Sequence, residues 1–416
     1  MPLPESVLIN LRQCQRAAVF IACITAPIAI TTRFAQAAEA HSLTPTGTGF
    51  SIGDDSSIAS ATINTRAQIR YTSQYVDDPR ETDDFFADSD SKLNINRARL
   101  KIEGHIYQPW IRYFSQFELA DGYFIDYGLA IEKYAQLNVK IGQWKMEYSR
   151  ERSVSSGEQQ LIDRSIINRM FTIDRHNAIS VYGRLNPDTL ADVNYWVGIG
   201  AGTGRGNSLS SPGKPLYFAR VQWNPLGGGV DFTTADLATH TTPALSIGYA
   251  HAWNEGQYSR FSSSGGGQLG LWKEVQEAID ATPLPHPLTK INQYNVDMAL
   301  MYKGFSAQAE YHEKEVSAQN QNDLSLDGYY IQAGYLLNSV WQWWPKPLEV
   351  VGRYATYTSQ QAEEDRKNEE HSVGLNWYFA GHNNKLSVDF TRFDLHALNT
   401  EQFSDNRFRV QWDFTF

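Results

Sequence analysis

Apolar and polar residues alternate one by one over long stretches of this chain, and that period limits its fold more than any other feature. From Ile63 to Tyr75 the odd positions read Ile63, Thr65, Ala67, Ile69, Tyr71, Ser73 and Tyr75, while the even ones read Asn64, Arg66, Gln68, Arg70, Thr72 and Gln74. Successive side chains of a β-strand point to opposite faces, so such a stretch reads as a strand with one greasy and one wet side. The pattern returns in Asn96, Ala98, Leu100, Ile102, Gly104 and Ile106 against Arg97, Arg99, Lys101, Glu103 and His105. It returns again in Tyr217, Ala219, Val221 and Trp223 against Phe218, Arg220 and Gln222, and at the end in Phe408, Val410, Trp412, Phe414 and Phe416 against Arg409, Gln411, Asp413 and Thr415. Strands of soluble sandwiches are commonly about five or six residues long, whereas several of these run to about ten or more with aromatic ends.

Sixteen such segments can be placed, near 59–76, 93–106, 111–120, 124–133, 136–146, 177–184, 190–200, 216–223, 243–253, 290–302, 305–316, 328–337, 347–357, 370–379, 385–395 and 405–416. Their connections mostly alternate long and short; 121–123 is short for its set and 224–242 long for its set. An even number of strands with short turns at one end and longer loops at the other predicts an all-β fold. Its form is a transmembrane antiparallel β-barrel of about sixteen strands.

Composition and the N-terminal region agree. The chain has 416 residues, 46 acidic and 36 basic, a net charge of −10, so no nucleic acid is expected as a partner, because phosphate contacts need a basic surface. Tyrosine leads the aromatics with 22 residues, as suits rings placed where one end is greasy and the other wet. Arg12 and Arg16 precede an apolar run over 17–30, followed by Ala35-Gln36-Ala37 and Ala38-Glu39-Ala40. This predicts a secretory signal peptide over 1–40, cut after 37 or 40, then a linker over 41–58 and the barrel over 59–416. Both cysteines, Cys14 and Cys23, lie in the leader, which excludes thiol chemistry and Cys-ligated zinc from the mature chain. Beyond the leader no apolar stretch is long enough for a spanning helix, so a membrane would have to be crossed by strands.

The connection over about 147–176 stands out chemically. With the two residues before it, it carries Lys145, Arg150, Arg152, Arg164, Arg169 and Arg175 against Glu147, Glu151, Glu158, Asp163 and Asp174. Ser155-Ser156-Gly157-Glu158 has the spacing of a capping box, which predicts a helix running through Leu161, Ile162, Ser165, Ile166 and Arg169. A long loop with apolar positions of its own must pack them on something. Inside a barrel this predicts an inward-folded constriction loop whose arginines bind and pass anions. The other reading is an external loop whose opposite charges merely neutralise one another.

Four blocks then resemble the phosphate-selective porin O and P family. They are Ile141-Gly142-Gln143-Trp144-Lys145, followed by Tyr148-Ser149, Glu151, Ser155-Ser156 and Arg164-Ser165; Asn96-Arg97-Ala98-Arg99-Leu100 with Glu103-Gly104; Glu349-Val350-Val351-Gly352-Arg353-Tyr354; and Gly374-Leu375-Asn376-Trp377-Tyr378-Phe379. The resemblance implies a sixteen-stranded outer-membrane channel, usually trimeric, whose third extracellular loop folds inward and whose basic side chains guide anions.

Further basic residues fall on the polar faces of the strands: Arg66, Arg70, Arg97, Arg99, Lys101, Arg112, Lys140 and Arg353. On neighbouring strands they predict a cationic wall in the lumen. Phe416, closing an aromatic strand, looks like the signal read by the barrel assembly machinery. Catalytic and cofactor signals are weak. The ten histidines show no ligand spacing, so neither a metal nor a cofactor is expected. Asp77, Asp78, Glu81, Asp83, Asp84, Asp88 and Asp90 read as a solvated acidic loop and not an EF-hand. Leu271, Val275, Ala278 and Ile279 suggest a short helix, and Glu313 and Glu315 share a strand face without any acid and base partners. The expectation is a porin of the bacterial outer membrane for passive diffusion, preferring small anionic solutes such as phosphate or related oxyanions. Its partners would be outer-membrane lipid, copies of itself in a homotrimer, and the assembly machinery. A weakly selective general porin, or an enzyme or adhesin on a barrel scaffold, are the alternatives.

Overall fold

The computed structural model describes residues 44–45, 48–73, 91–202, 204–206, 213–256, 289–318, 323–361, 364–397 and 402–416. The expected leader, the acidic loop over 77–90 and the helix around 271–279 lie outside them. Two short strands, β1 (Thr44–Pro45) and β2 (Phe50–Ile52), precede a run of sixteen. These are β3 (Ala59–Ser73), β4 (Lys92–Ile106), β5 (Gln108–Glu118), β6 (Tyr123–Tyr134), β7 (Leu137–Lys145), β8 (Arg175–Leu185), β9 (Val193–Gly200) and β10 (Gly213–Trp223). The second half comprises β11 (Ala244–Gly256), β12 (Thr289–Tyr302), β13 (Phe305–Ala318), β14 (Leu324–Leu336), β15 (Leu348–Gln361), β16 (Glu364–Tyr378), β17 (Asn384–Ala397) and β18 (Gln402–Thr415). Each pairs antiparallel with the next, and β18 pairs with β3 from Phe408↔Ser73 to Thr415↔Arg66, which closes the barrel.

Closure leaves no sheet edge to satisfy, which is what a strand-built membrane protein requires. At the seam the terminal Phe416 exchanges backbone hydrogen bonds with Thr65 in both directions, at 2.8 and 2.7 Å. Past that point β2 takes over as the neighbour of β3, Phe50 facing Ile63 and Ile52 facing Ala61. The alternation appears as predicted: along β14 every second residue from Leu324 to Leu336 is buried, while Tyr329 and Ile331 between them are exposed. Exposed Leu, Ile, Val, Trp and Tyr side chains recur around the outer face, as a surface solvated by lipid must have.

All sixteen expected segments correspond to barrel strands, but several strands are longer than their apolar pattern. Strand β16 begins at Glu364, paired to Gln361, where the pattern predicted a loop to 369. Ladder hydrogen bonds do not depend on hydrophobicity, so strands continue past the greasy band. Asn96 was read as part of the apolar face; the register instead slips beside it, with Gln68 facing Arg97 and Ile69 facing Ile95, so Asn96 is the extra residue of a bulge. Gly142 marks a second irregularity: its φ of +140° suits glycine, and a Cβ there would lie 2.1 Å from the Tyr127 carbonyl oxygen.

A core also exists inside this barrel. Met146, Tyr148, Ile166, Ile167, Met170, Phe171 and Ile173 from the connection after β7 pack against Leu216, Phe218, Ile291, Val316, Leu326, Tyr330, Tyr357 and Phe393 of the wall. Each fully buried side chain of this kind contributes roughly 1.5–3 kcal/mol over leaving it in water.

Candidate pore-lining site

The connection between β7 and β8 contains two short helices, α1 (Arg150–Ser153) and α2 (Ile166–Phe171). Ser149 caps α1 by accepting from the Arg152 N–H at 3.2 Å. The helix expected from the Ser155 to Glu158 box forms only at its far end, as α2. Ahead of it backbone donors go to the wall: Ile162 N–H donates to Asp389 at 3.0 Å and Ile166 N–H to Glu370 at 2.8 Å, while in α1 Glu151 N–H donates to Glu310. A carboxylate accepting a buried N–H is worth more than a helical carbonyl, because the acceptor is charged.

Further bonds run to most of the barrel. Arg66 donates to Ser156 at 2.9 Å, Arg220 to the Tyr148 carbonyl at 2.9 Å, Gln293 to the Phe171 carbonyl at 3.0 Å and Lys314 to the Met170 carbonyl at 3.0 Å. Gln160 donates to Ser306 at 2.8 Å and Glu349 at 2.6 Å, and Asn376 to the Gln160 carbonyl at 2.7 Å. Asp163 is clamped by Arg70 at 2.7 Å and by Arg409 at 2.6 Å. Burial alone would raise its pKa; Arg70, Arg409 and Arg97 override that and hold the carboxyl far below its ordinary range. These contacts reach β3, β10 and β12 to β18, and leave space along β4 to β9.

That space holds a cavity of about 710 Å³. Arg66, Arg97, Arg99, Lys101, Lys145, Arg152, Arg164, Arg175 and Arg205 line it, nine cationic side chains against the four carboxylates of Glu118, Asp121, Glu158 and Asp174. Several cations are partly neutralised. Arg99 meets Glu118 at 2.9 Å, Arg152 donates to Asp174 at 2.9 Å, and Arg175 meets Asp126 at 2.7 Å and Asp174 at 3.2 Å. Others bond only neutral oxygens: Lys145 donates to the carbonyls of Arg152, Ser153 and Val154 at 3.0 to 3.1 Å, and Arg164 to those of Glu151 and Val154 at 2.9 and 2.5 Å. Burial, and then the neighbouring Arg152 and Arg175, push Arg164 down to about 9. The burial part of that shift disfavours any charge there, an anion included; the part owed to Arg152 and Arg175 is a positive field, which favours an anion.

The sequence-predicted residues therefore divide. Arg66, Arg97, Arg99, Lys101, Lys145, Arg152, Arg164 and Arg175 come together around this cavity, while Arg112 and Lys140, again with Lys101 and Lys145, line a neighbouring one of about 680 Å³. Arg70 bonds Asp163 and Gln411; Arg353 bonds Glu370 at 2.6 Å and the Asp163 carbonyl at 3.0 Å; neither lines either cavity. Arg150 is buried and donates to the carbonyls of Val230 and Asp231 at 3.1 and 2.5 Å, and Arg169 lines neither cavity. Arg205, packed over Tyr123 at 3.8 Å, was missed. It sits alone in the glycine-rich stretch after β9, where no period marks it. Glu313 and Glu315 lie on the outer face, away from both cavities. Among the described residues no group of His, Cys, Asp and Glu could hold a metal ion.

A closed sixteen-stranded antiparallel barrel with an apolar outer belt and polar cavities within defines an outer-membrane channel protein. The model of the phosphate-selective porin O and P family matches residues 63–416, and the chain belongs to that family. It is a porin of the bacterial outer membrane, and family and fold point to a channel rather than to an enzyme. No curated protein matches the chain significantly. Solved structures share its fold at low identity. OmpT of Vibrio cholerae in its trimer form is 9% identical, with 86% of this chain and 99% of that one covered and a TM-score of 0.55. The anion-selective porin of Comamonas acidovorans is 11% identical, covering 86% and 100%, with a TM-score of 0.53. The channel DcaP of Acinetobacter baumannii is 11% identical, covering 86% and 97%, with a TM-score of 0.51.

Proposed function

We propose that this porin passes small anions in preference to cations, and that the segment between β7 and β8 is the constriction that makes the preference. The observation that carries the reading is the excess of nine cationic over four anionic side chains around one cavity between that segment and β4 to β9. In a narrowed, half-dry passage unlike charges are screened less than in water, so this excess raises the local anion concentration. The carbonyl-bonded Lys145 and Arg164 supply exchangeable donors for an oxyanion such as phosphate. A trimer is the proposed assembly, supported by the trimeric form of one structural neighbour, with outer-membrane lipid around it. Phe416 is proposed as the mark read by the barrel assembly machinery, which it could present because its ring is exposed.

The test is planar-bilayer conductance with reversal potentials across a potassium chloride gradient, repeated with phosphate added. An anion-directed reversal, with phosphate blocking chloride current at low concentration, is expected. A large conductance without ion preference would replace this reading by that of a general diffusion pore, in which the many ion pairs cancel the excess.

A further inference from the structure

The basic cavity adjoins a second chamber of different chemistry. The two share Lys101, Gln116 and Lys145, and the second, of about 680 Å³, is walled by six rings: Tyr113, Phe114, Trp144, Tyr182, Trp196 and Phe232. Trp196 stands directly opposite Tyr182 in the β8–β9 register, and Phe232 packs on Trp196 with ring centroids 5.7 Å apart and planes at 49°. Phe232 belongs to no strand. It comes from the connection 224–243 at the turn end, whose Val230, Thr234 and Ala235 are buried and whose Thr234 hydroxyl donates to the Glu158 carbonyl at 2.6 Å. The guanidiniums of Arg150 and Arg220 lie 5.7 and 5.6 Å from its centroid and hold the ring in place. The connection that is too long for its set thus reaches the segment between β7 and β8 and presents an aromatic surface beside the basic cavity.

Charges in the ring-lined chamber are mostly spent on one another. Lys140 pairs with Glu147 at 2.8 Å, Lys101 with Glu103 at 2.8 Å and Arg112 with Glu132 at 3.6 Å. A hydrated inorganic oxyanion gains nothing from such walls. An anion with a flat apolar body gains by burying that body against rings while its charge stays with the cations next door. We propose that the preferred solutes are organic anions carrying an aromatic ring, with the anionic group at the basic cavity beside Lys145 and the ring laid against the surface that Trp196 and Phe232 present to the second chamber. This rests on the anion-preferring reading and names the solute class for the same passage.

The experiment is single-channel recording of the full barrel in potassium chloride, with sodium benzoate, sodium acetate or inorganic phosphate added. Benzoate is expected to halve the chloride current at about one tenth of the acetate concentration, the ratio one good ring contact supports. In Phe232→Leu and Trp196→Leu, which keep apolar bulk, the benzoate and acetate curves should converge while the reversal potential stays where it was. Equal block by benzoate and acetate in the unaltered protein, with an anion-directed reversal intact, overturns the solute class alone. A reversal potential without anion preference overturns the underlying reading instead. Benzoate block surviving unchanged in both variants overturns the assignment to these rings.

Discussion

At Asp163 one carboxylate joins the segment between β7 and β8 to two strands at once, through Arg70 of β3 and Arg409 of β18. Removing one member of a buried, hydrogen-bonded charge cluster typically costs about 3–5 kcal/mol, because the remaining charges stay buried without a partner. Asp163→Ala should therefore release the segment: limited proteolysis is expected to cut between 150 and 165 in the variant and leave the unaltered porin intact. Glu151 works in the opposite sense. Burial raises its carboxyl to about 7, against the pull of Arg353 at 3.7 Å and with Glu310 adding to the rise, while Ser165 donates to it from N–H and Oγ. A folded-state value above the unfolded one means that its contribution is complete below about 4.5 and is lost as pH rises through about 7. Open-channel current noise from a loosened segment should grow between pH 6 and pH 8, and Glu151→Gln, which stays neutral, should flatten that dependence. Among the cavity cations Arg205 is the one held only by a ring. Reversing it in Arg205→Glu removes little structure and should lower the anion-to-cation permeability ratio by about thirtyfold, since two charge units at ~4 Å in a water-like medium amount to roughly 2 kcal/mol. Reversal potentials read that ratio directly.

Strands were legible in this sequence because a period of two is written into every one of them, and a barrel has only two kinds of face to write. Where the wall departs from the rule, the period was silent. The bulge beside Asn96 shifts one residue without breaking the run of apolar side chains, and the first residues of β16, Glu364 to Glu370, carry no greasy face to read. The helix expected over 155–169 starts only at Ile166 for a different reason. Capping chemistry competes locally, and here Asp389 and Glu370, more than two hundred residues further along the chain, took the N–H groups of Ile162 and Ile166 that a longer helix would have used. Of the site, the cations were visible by type, but which of them line space and which brace the segment depended on partners no spacing reveals. Arg353, Arg70 and Arg150 brace it. Phe232 was invisible because a ring in a long turn resembles any other loop residue. Gly142 allows a test at this scale. Because its Cβ would lie 2.1 Å from the Tyr127 carbonyl oxygen, Gly142→Ala forces β6 and β7 apart at that point and should cost more than about 1 kcal/mol. The measurement is the temperature at which the barrel's gel mobility changes from that of the folded to that of the unfolded chain.

The whole chain is acidic, with a net charge of −10, yet the cavity that would select solutes is ringed by a cationic excess. The two act over different distances. At about 0.01 M salt the Debye length is roughly 30 Å, so an approaching anion feels the net negative charge of the entire protein before it reaches the cavity. At about 0.15 M the length shortens to roughly 8 Å, the distant carboxylates fall silent, and the cations lining the cavity act on whatever stands beside them. At about 1 M, with a length of roughly 3 Å, even these are largely screened. The anion-to-cation permeability ratio should therefore pass through a maximum at intermediate salt. A porin whose selectivity came from overall charge would instead give a ratio changing in one direction throughout. Reversal potentials at a constant tenfold gradient, with mean salt stepped across that range, distinguish the two. A ratio that climbs steadily to the lowest salt would mean that the acidic surplus lies too far from the mouth to be felt there, and that the cationic cavity governs entry as well as passage.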